Sequence, residues 1–219
     1  MEIKLAIFDM DGLIFDSERA FERELKEVMH SYGYELTEDI YKSTIGLTGK
    51  GLKEKMLFNY GKDYPFEEIS KKARQRVNSL SQEGKIDIKN GIPELLMYFN
   101  EKGIKCAVAS STKSQYVDLY LGSAGLRKYF NSITGGEETE RSKPEPDIFL
   151  AACKKENAVP ENTIVFEDSP NGVTAALRAK MNVVCIPDLV CPPEELIKNA
   201  LFVAKDAFEA KEFIKNVLE

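Results

Sequence analysis

Short apolar runs at residues 4–8, 104–110, 132–134, 163–166 and 183–186, set among helical patterns at 92–102, 114–124, 147–156 and 171–180, constrain the fold of this chain most strongly. Runs without polar alternation are what strands buried on both faces look like, and such strands belong to parallel sheets covered by helices. Their alternation with helices reads as an α/β, doubly wound parallel sheet. From residue 16 to about 85 the pattern changes to long amphipathic stretches at 17–32, 37–44, 49–60 and 65–82, with no convincing strand. The expected organisation is therefore a core of residues 1–15 and 88–219 with an all-helical insertion at 16–87. Its hinges should lie at 14–16 and 81–89, since an insertion leaves and rejoins the sheet near one edge. With 219 residues, 43% of them hydrophobic, the chain has enough apolar surface for a core without staples.

Other classes fall away on composition. Thirty-six acidic against 30 basic residues give a net charge of −6, and no basic run tracks a phosphate backbone, so nucleic acid is not an expected partner. The apolar run near the start is broken at Asp9, too short for an export signal or a membrane span; a cytoplasmic protein with no membrane contact is expected. Cys106, Cys153, Cys185 and Cys191 show no C-x-x-C spacing, which points to reduced thiols and no zinc. The lone His30 cannot build a metal cluster or a histidine-based triad.

Reactive side chains gather at the carboxyl ends of the expected strands, the edge where open α/β sheets bind ligands. Asp9 and Asp11 follow the first strand, just before Gly12. Two carboxylates so placed repel unless a cation or a proton holds them; they are either an acidic turn, or a Mg2+ site, or a nucleophile beside an acid/base. Ser110, Ser111 and Thr112 end the second strand, as donors to a phosphate oxygen or as a plain helix cap. Lys143 precedes a stretch stiffened by Pro144 and Pro146, a good posture for an anion partner. Glu167 and Asp168 end a later strand, before Pro170-Asn171-Gly172 opens a helix. One divalent site shared with Asp9 and Asp11 accounts for both acidic pairs more economically than two turns.

In that order, the D-x-D-G, S-S-T, S-K-P-E-P-D and E-D-S segments resemble the haloacid dehalogenase (HAD) superfamily over the whole chain, and most closely its β-phosphoglucomutase-like phosphatase branch. The resemblance implies a Rossmann-like core with a helical cap, and a Mg2+-dependent phosphatase of a small phosphorylated metabolite of the sugar-phosphate kind, working through an aspartyl-phosphate. Asp9 would be the nucleophile and Asp11 the acid/base; Asp9, Asp11 (through its backbone carbonyl), Asp168 and, in support, Glu167 would hold Mg2+. Ser110, Ser111 and Lys143 would bind the phosphoryl oxygens, Lys143 also keeping Asp9 ionised. Gly46, Thr48 and Lys50 fall in what looks like the cap loop that selects substrates, although a helix–helix loop with solvated lysines accounts for them equally well. Tyr41, Tyr60 and Tyr64 read as cap packing. The rival is β-phosphoglucomutase itself; mutases of this branch generally carry a His and an Arg where this chain has Phe21 and Gly49. A receiver-type signalling domain is disfavoured by the helical insertion, and a monomer or weak dimer is expected.

Overall fold

The computed structural model describes residues 2–45, 47 and 49–218. Two compact units emerge, Met1–Asp16 with Asp87–Glu219, and Ser17–Ile86. In chain order, β1 (Leu5–Phe8) is followed by the helices of the second unit, α1 (Ser17–Ser31), α2 (Glu38–Lys42), α3 (Gly49–Tyr60) and α4 (Phe66–Gln82). The first unit then continues with α5 (Ile92–Glu101), β2 (Lys105–Ala109), α6 (Ser114–Ser123), β3 (Ser132–Thr134), α7 (Asp147–Lys155), β4 (Thr163–Glu167) and α8 (Pro170–Arg178). It closes with β5 (Asn182–Cys185), α9 (Glu194–Ile197), β6 (Phe202–Val203) and α10 (Ala207–Leu218).

The six strands form one parallel sheet in the order β3-β2-β1-β4-β5-β6. Side chains alternate across a strand, so each central strand supplies both faces. Leu5 and Ile7 of β1 join Ala107, Ala109 and Val165 beneath Phe149 of α7 and Val173 of α8. Phe8 points the other way, stacked on its register partner Phe166 at 4.8 Å and set edge-on to Phe99 of α5 at 6.1 Å. A phenylalanine so enclosed typically contributes about 3–5 kcal/mol, so β1 is anchored from both sides right up to the residue before Asp9. Chain order reverses at β1, with β2 on one side and β4 on the other, which is where such sheets open a crevice.

β6 and α10 have no counterpart in the periodicity. β6 is two residues long, too short to show alternation, and it is held by Phe202 stacked on Phe213 of α10 at 4.2 Å. Segments 14–16 and 87–89 pair antiparallel: Asp16 donates to the Asp87 carbonyl at 2.9 Å, and Lys89 to that of Ile14, also at 2.9 Å. Lys89 Nζ also reaches Asp188 Oδ1 at 2.5 Å, tying this ribbon to the loop after β5.

In the helical unit, α1 packs on α4, with Leu25, Val28 and Met29 facing Ile69 and Ala73. Tyr41 is buried and donates to the Glu18 carbonyl at 3.1 Å, while Tyr60 and Tyr64 stack on each other at 5.0 Å with Tyr34 edge-on to both, so all three expected packing tyrosines do pack. His30 is exposed in the last turn of α1. No helix among the described residues is long and apolar enough to cross a membrane.

Candidate active site

Because β1, β2 and β4 are adjacent and parallel, the residues that finish them meet at one edge. Asp9 extends β1 by one residue and donates its amide to the Phe166 carbonyl at 3.1 Å; Ser110 extends β2 and donates to that of Thr134 at 3.1 Å. Ladder bonds thus fix both backbones. Glu167 is the last residue of β4, and Asp168 follows it. The carboxylates of Asp9, Glu167 and Asp168 are all buried, each offering an oxygen within 4.8 Å of the others. Two glycines let the backbone come this close. Gly12 (φ +83°) turns β1 away at a spot where a Cβ would overlap the Asp168 carboxylate. Gly172, in the first turn of α8, sits where a Cβ would overlap that of Glu167.

Lys143, brought in by the segment preceding α7, lies between the acids. Its Nζ donates to Asp9 Oδ1, to Glu167 Oε1 at 2.7 Å and to the Ala109 carbonyl at 3.4 Å, with the Phe149 ring beneath it at 4.9 Å. The other oxygen of Glu167 accepts the Ser169 amide at 2.7 Å, and Ser169 caps α8 by accepting from Gly172 at 3.1 Å. Burial alone would pull the Lys143 ammonium down, but attraction to Asp9 and Glu167 and the bonds to both more than reverse that, so it stays charged. Burial raises Asp9; Lys143 opposes this, Glu167 and Asp11 add to it, and the outcome is about 7. The lysine therefore does not restore ordinary acidity to Asp9. Burial first, then Glu167 and Asp9, raise Asp168 well above the usual carboxylate range.

The donor set suits a divalent cation. Three buried carboxylates face one ammonium, leaving an excess of two negative charges when all are ionised, and Asp168 Oδ1 is buried without a hydrogen-bond partner among the described residues. Hard oxygen ligands at this density are what hard divalent cations take.

The other expected residues divide. Ser110 is buried at the end of β2, whereas Ser111 is exposed. The side chain of Asp11 stands apart from the three converging carboxylates and accepts the Thr112 hydroxyl at 3.0 Å. Thr112 was visible in the sequence only as the third of three hydroxyls, with no signal that it, and not Ser111, turns inward. Lys50 is exposed on α3, 3.6 Å from Glu54, at the rim of a groove of about 550 Å³ that Lys53, Phe66 and Arg74 also line. Gly46 and Thr48 lie outside the described residues.

Known proteins resemble this chain over most of its length. The chain is 33% identical over 178 residues to a phosphorylated carbohydrates phosphatase of Thermotoga maritima, covering 81% of this chain and 82% of that protein. It superposes with a TM-score of 0.81 and 30% identity on a Thermotoga maritima structure provisionally described as a β-phosphoglucomutase, over 99% of this chain and all of the other. The phosphate complex of CbbY from Rhodobacter sphaeroides gives a TM-score of 0.75 at 25% identity, over 94% and 96% of the two chains. The model of the haloacid dehalogenase-like hydrolases matches residues 6–186, a span that includes Asp9, Ser110, Lys143, Glu167 and Asp168, and to that family this chain belongs.

Proposed function

We propose that the chain is a Mg2+-dependent phosphatase of a small phosphorylated metabolite, most naturally a sugar phosphate, with Asp9 as the phosphoryl acceptor. The observation that carries this reading is the buried Asp9 carboxylate held by Lys143 beside Glu167 and Asp168 at the sheet's carboxyl edge. The phosphatase and phosphate-bound relatives support it. Asp9, Asp168 and the Asp11 backbone carbonyl, with Glu167 behind them, would hold Mg2+. When bound, the ion supplies positive charge that lets an anionic nucleophile meet an anionic ester.

The residues of this chain then divide the work. Asp9 attacks phosphorus; the ester oxygen departs with a proton from Asp11, and water hydrolyses the resulting aspartyl-phosphate with Asp11 taking the proton back. Ser110 and Lys143 meet charge on the phosphoryl oxygens with donors already in place, Ser111 joining from the same turn. Residues 16–87 act as the cap, with Gly46, Thr48 and Lys50 reading the remainder of the substrate. The protein works in the cytoplasm as a monomer or weak dimer. Phosphatase is preferred to mutase because Phe21 and Gly49 stand where mutases of this branch carry a His and an Arg.

The test is phosphate release from p-nitrophenyl phosphate and several dozen phosphorylated metabolites. Glucose 6-phosphate formation from β-glucose 1-phosphate, primed with 1,6-bisphosphate, is followed in parallel. Release should dominate; faster glucose 6-phosphate formation would transfer the assignment to the mutase.

Metal binding has its own expected result. In metal-free protein Asp9 and Asp168 hold protons that the unfolded chain releases near pH 4, so stability falls as pH rises from about 4 through about 7. A cation competes with those protons. Mg2+ should therefore raise the unfolding temperature more at pH 8 than at pH 5, and EDTA should abolish turnover. An unfolding temperature unmoved by Mg2+ at pH 8 contradicts the metal assignment.

A further inference from the structure

The geometry points to Thr112 as a positioning residue for the acid/base step, a role that rests on the phosphatase reading above. Every polar atom of Thr112 is used. Its amide donates to Ser110 Oγ at 3.0 Å, its carbonyl accepts from the Gly136 amide at 3.2 Å, and its hydroxyl donates to Asp11 Oδ2 at 3.0 Å. The first two bonds clamp the turn after β2 between its own serine and the loop after β3. With the backbone so held, the Thr112 hydroxyl is delivered to one place, the Asp11 carboxylate, 101 residues earlier in the chain.

The consequences reach two groups of the reaction. Asp11 lies beyond β1 on a backbone that turns at Gly12 and is bridged locally to Phe15, rather than on the strand that carries Asp9. A hydroxyl donating to one carboxylate oxygen selects the rotamer in which the other is presented to the ester. Meanwhile Ser110 Oγ accepts from the Thr112 amide, which occupies a lone pair and leaves the serine proton free to be given to a phosphoryl oxygen. One residue thus sets the direction of the leaving-group proton through its side chain and of the Ser110 proton through its backbone. A valine there keeps the shape and both backbone bonds and removes only the contact to Asp11; a serine keeps the hydroxyl.

The test compares Thr112→Val and Thr112→Ser on phenyl phosphate and p-nitrophenyl phosphate. These esters are nearly equal in shape but differ in how much the departing oxygen needs a proton. If Thr112 orients the acid, T112V should lower kcat/KM for phenyl phosphate roughly tenfold, the scale of a lost hydrogen bond to a charged group, and for p-nitrophenyl phosphate less than about threefold. T112S should restore both. Crystal structures of the two variants give a readout independent of turnover: the Asp11 carboxylate should leave its place in T112V and keep it in T112S. Equal losses on the two esters, a loss that serine does not rescue, or an Asp11 unmoved in T112V would overturn the proposal. If the wild-type protein cleaves neither ester, the phosphatase reading fails, and the crystal comparison still decides whether Thr112 positions Asp11.

Discussion

Asp9→Asn should eliminate turnover while leaving the circular dichroism spectrum unchanged. The amide keeps the shape of the side chain, its backbone bond to Phe166 is untouched, and Lys143 retains Glu167 as a partner, so the fold has no reason to move. What disappears is the oxygen nucleophile. The loss should exceed the ~10²–10⁴-fold that follows removal of an acid/base alone, because the covalent route itself is closed. Purified variant retaining more than a small fraction of wild-type activity would remove Asp9 from the role proposed for it.

Lys143→Met should have the second largest effect, and on stability as well as on rate. Methionine matches the length of the chain but leaves Asp9 and Glu167 buried together with no cation between them. Breaking a buried ion pair by deleting one partner typically costs about 3–5 kcal/mol, limited here because the acids can take up a proton. The sign of the pH dependence follows. Asp9 sits at about 7 even with Lys143 lowering it, so without the lysine its folded pKa moves further above the unfolded value of 3.8. Folded protein then binds protons that unfolded protein releases, and stability declines as pH rises from about 4 past 7. Chemical denaturation of metal-free wild type and variant at pH 5 and pH 8 should therefore show the larger difference at pH 8. A variant equally stable at both would mean that the lysine does not compensate the acids.

The central strands were legible because a parallel strand buried on both faces is an uninterrupted apolar run: 5–8, 105–109 and 163–167 stand out from any neighbouring text. The inserted helices were legible for the complementary reason, a 3.6-residue stripe with no strand to interrupt it. β6 escaped because two residues carry no period and its place depends on Phe213, eleven residues further on. At the site, position at a strand end could be read from local order, but pairing could not. That Lys143 bridges Glu167 as well as Asp9, and that Thr112 instead of Ser111 turns toward Asp11, are facts of tertiary register between residues 24 to 134 apart. The near-neutral pKa of Asp9 was equally hidden, since it is set by burial and no composition reports that.

The aspartyl-phosphate itself can be caught with Asp11→Asn. An aryl leaving group needs little protonation, so phosphorylation of Asp9 by p-nitrophenyl phosphate should survive this change, while hydrolysis of the acyl phosphate loses its base. Rapid mixing of D11N with p-nitrophenyl phosphate and Mg2+ should give a burst of one p-nitrophenol per site followed by near-arrest, with one phosphoryl group carried on Asp9 in the acid-quenched protein. Linear release from the first turnover with no phosphate on the protein, or no release at all from a folded, Mg2+-binding variant, would contradict the account.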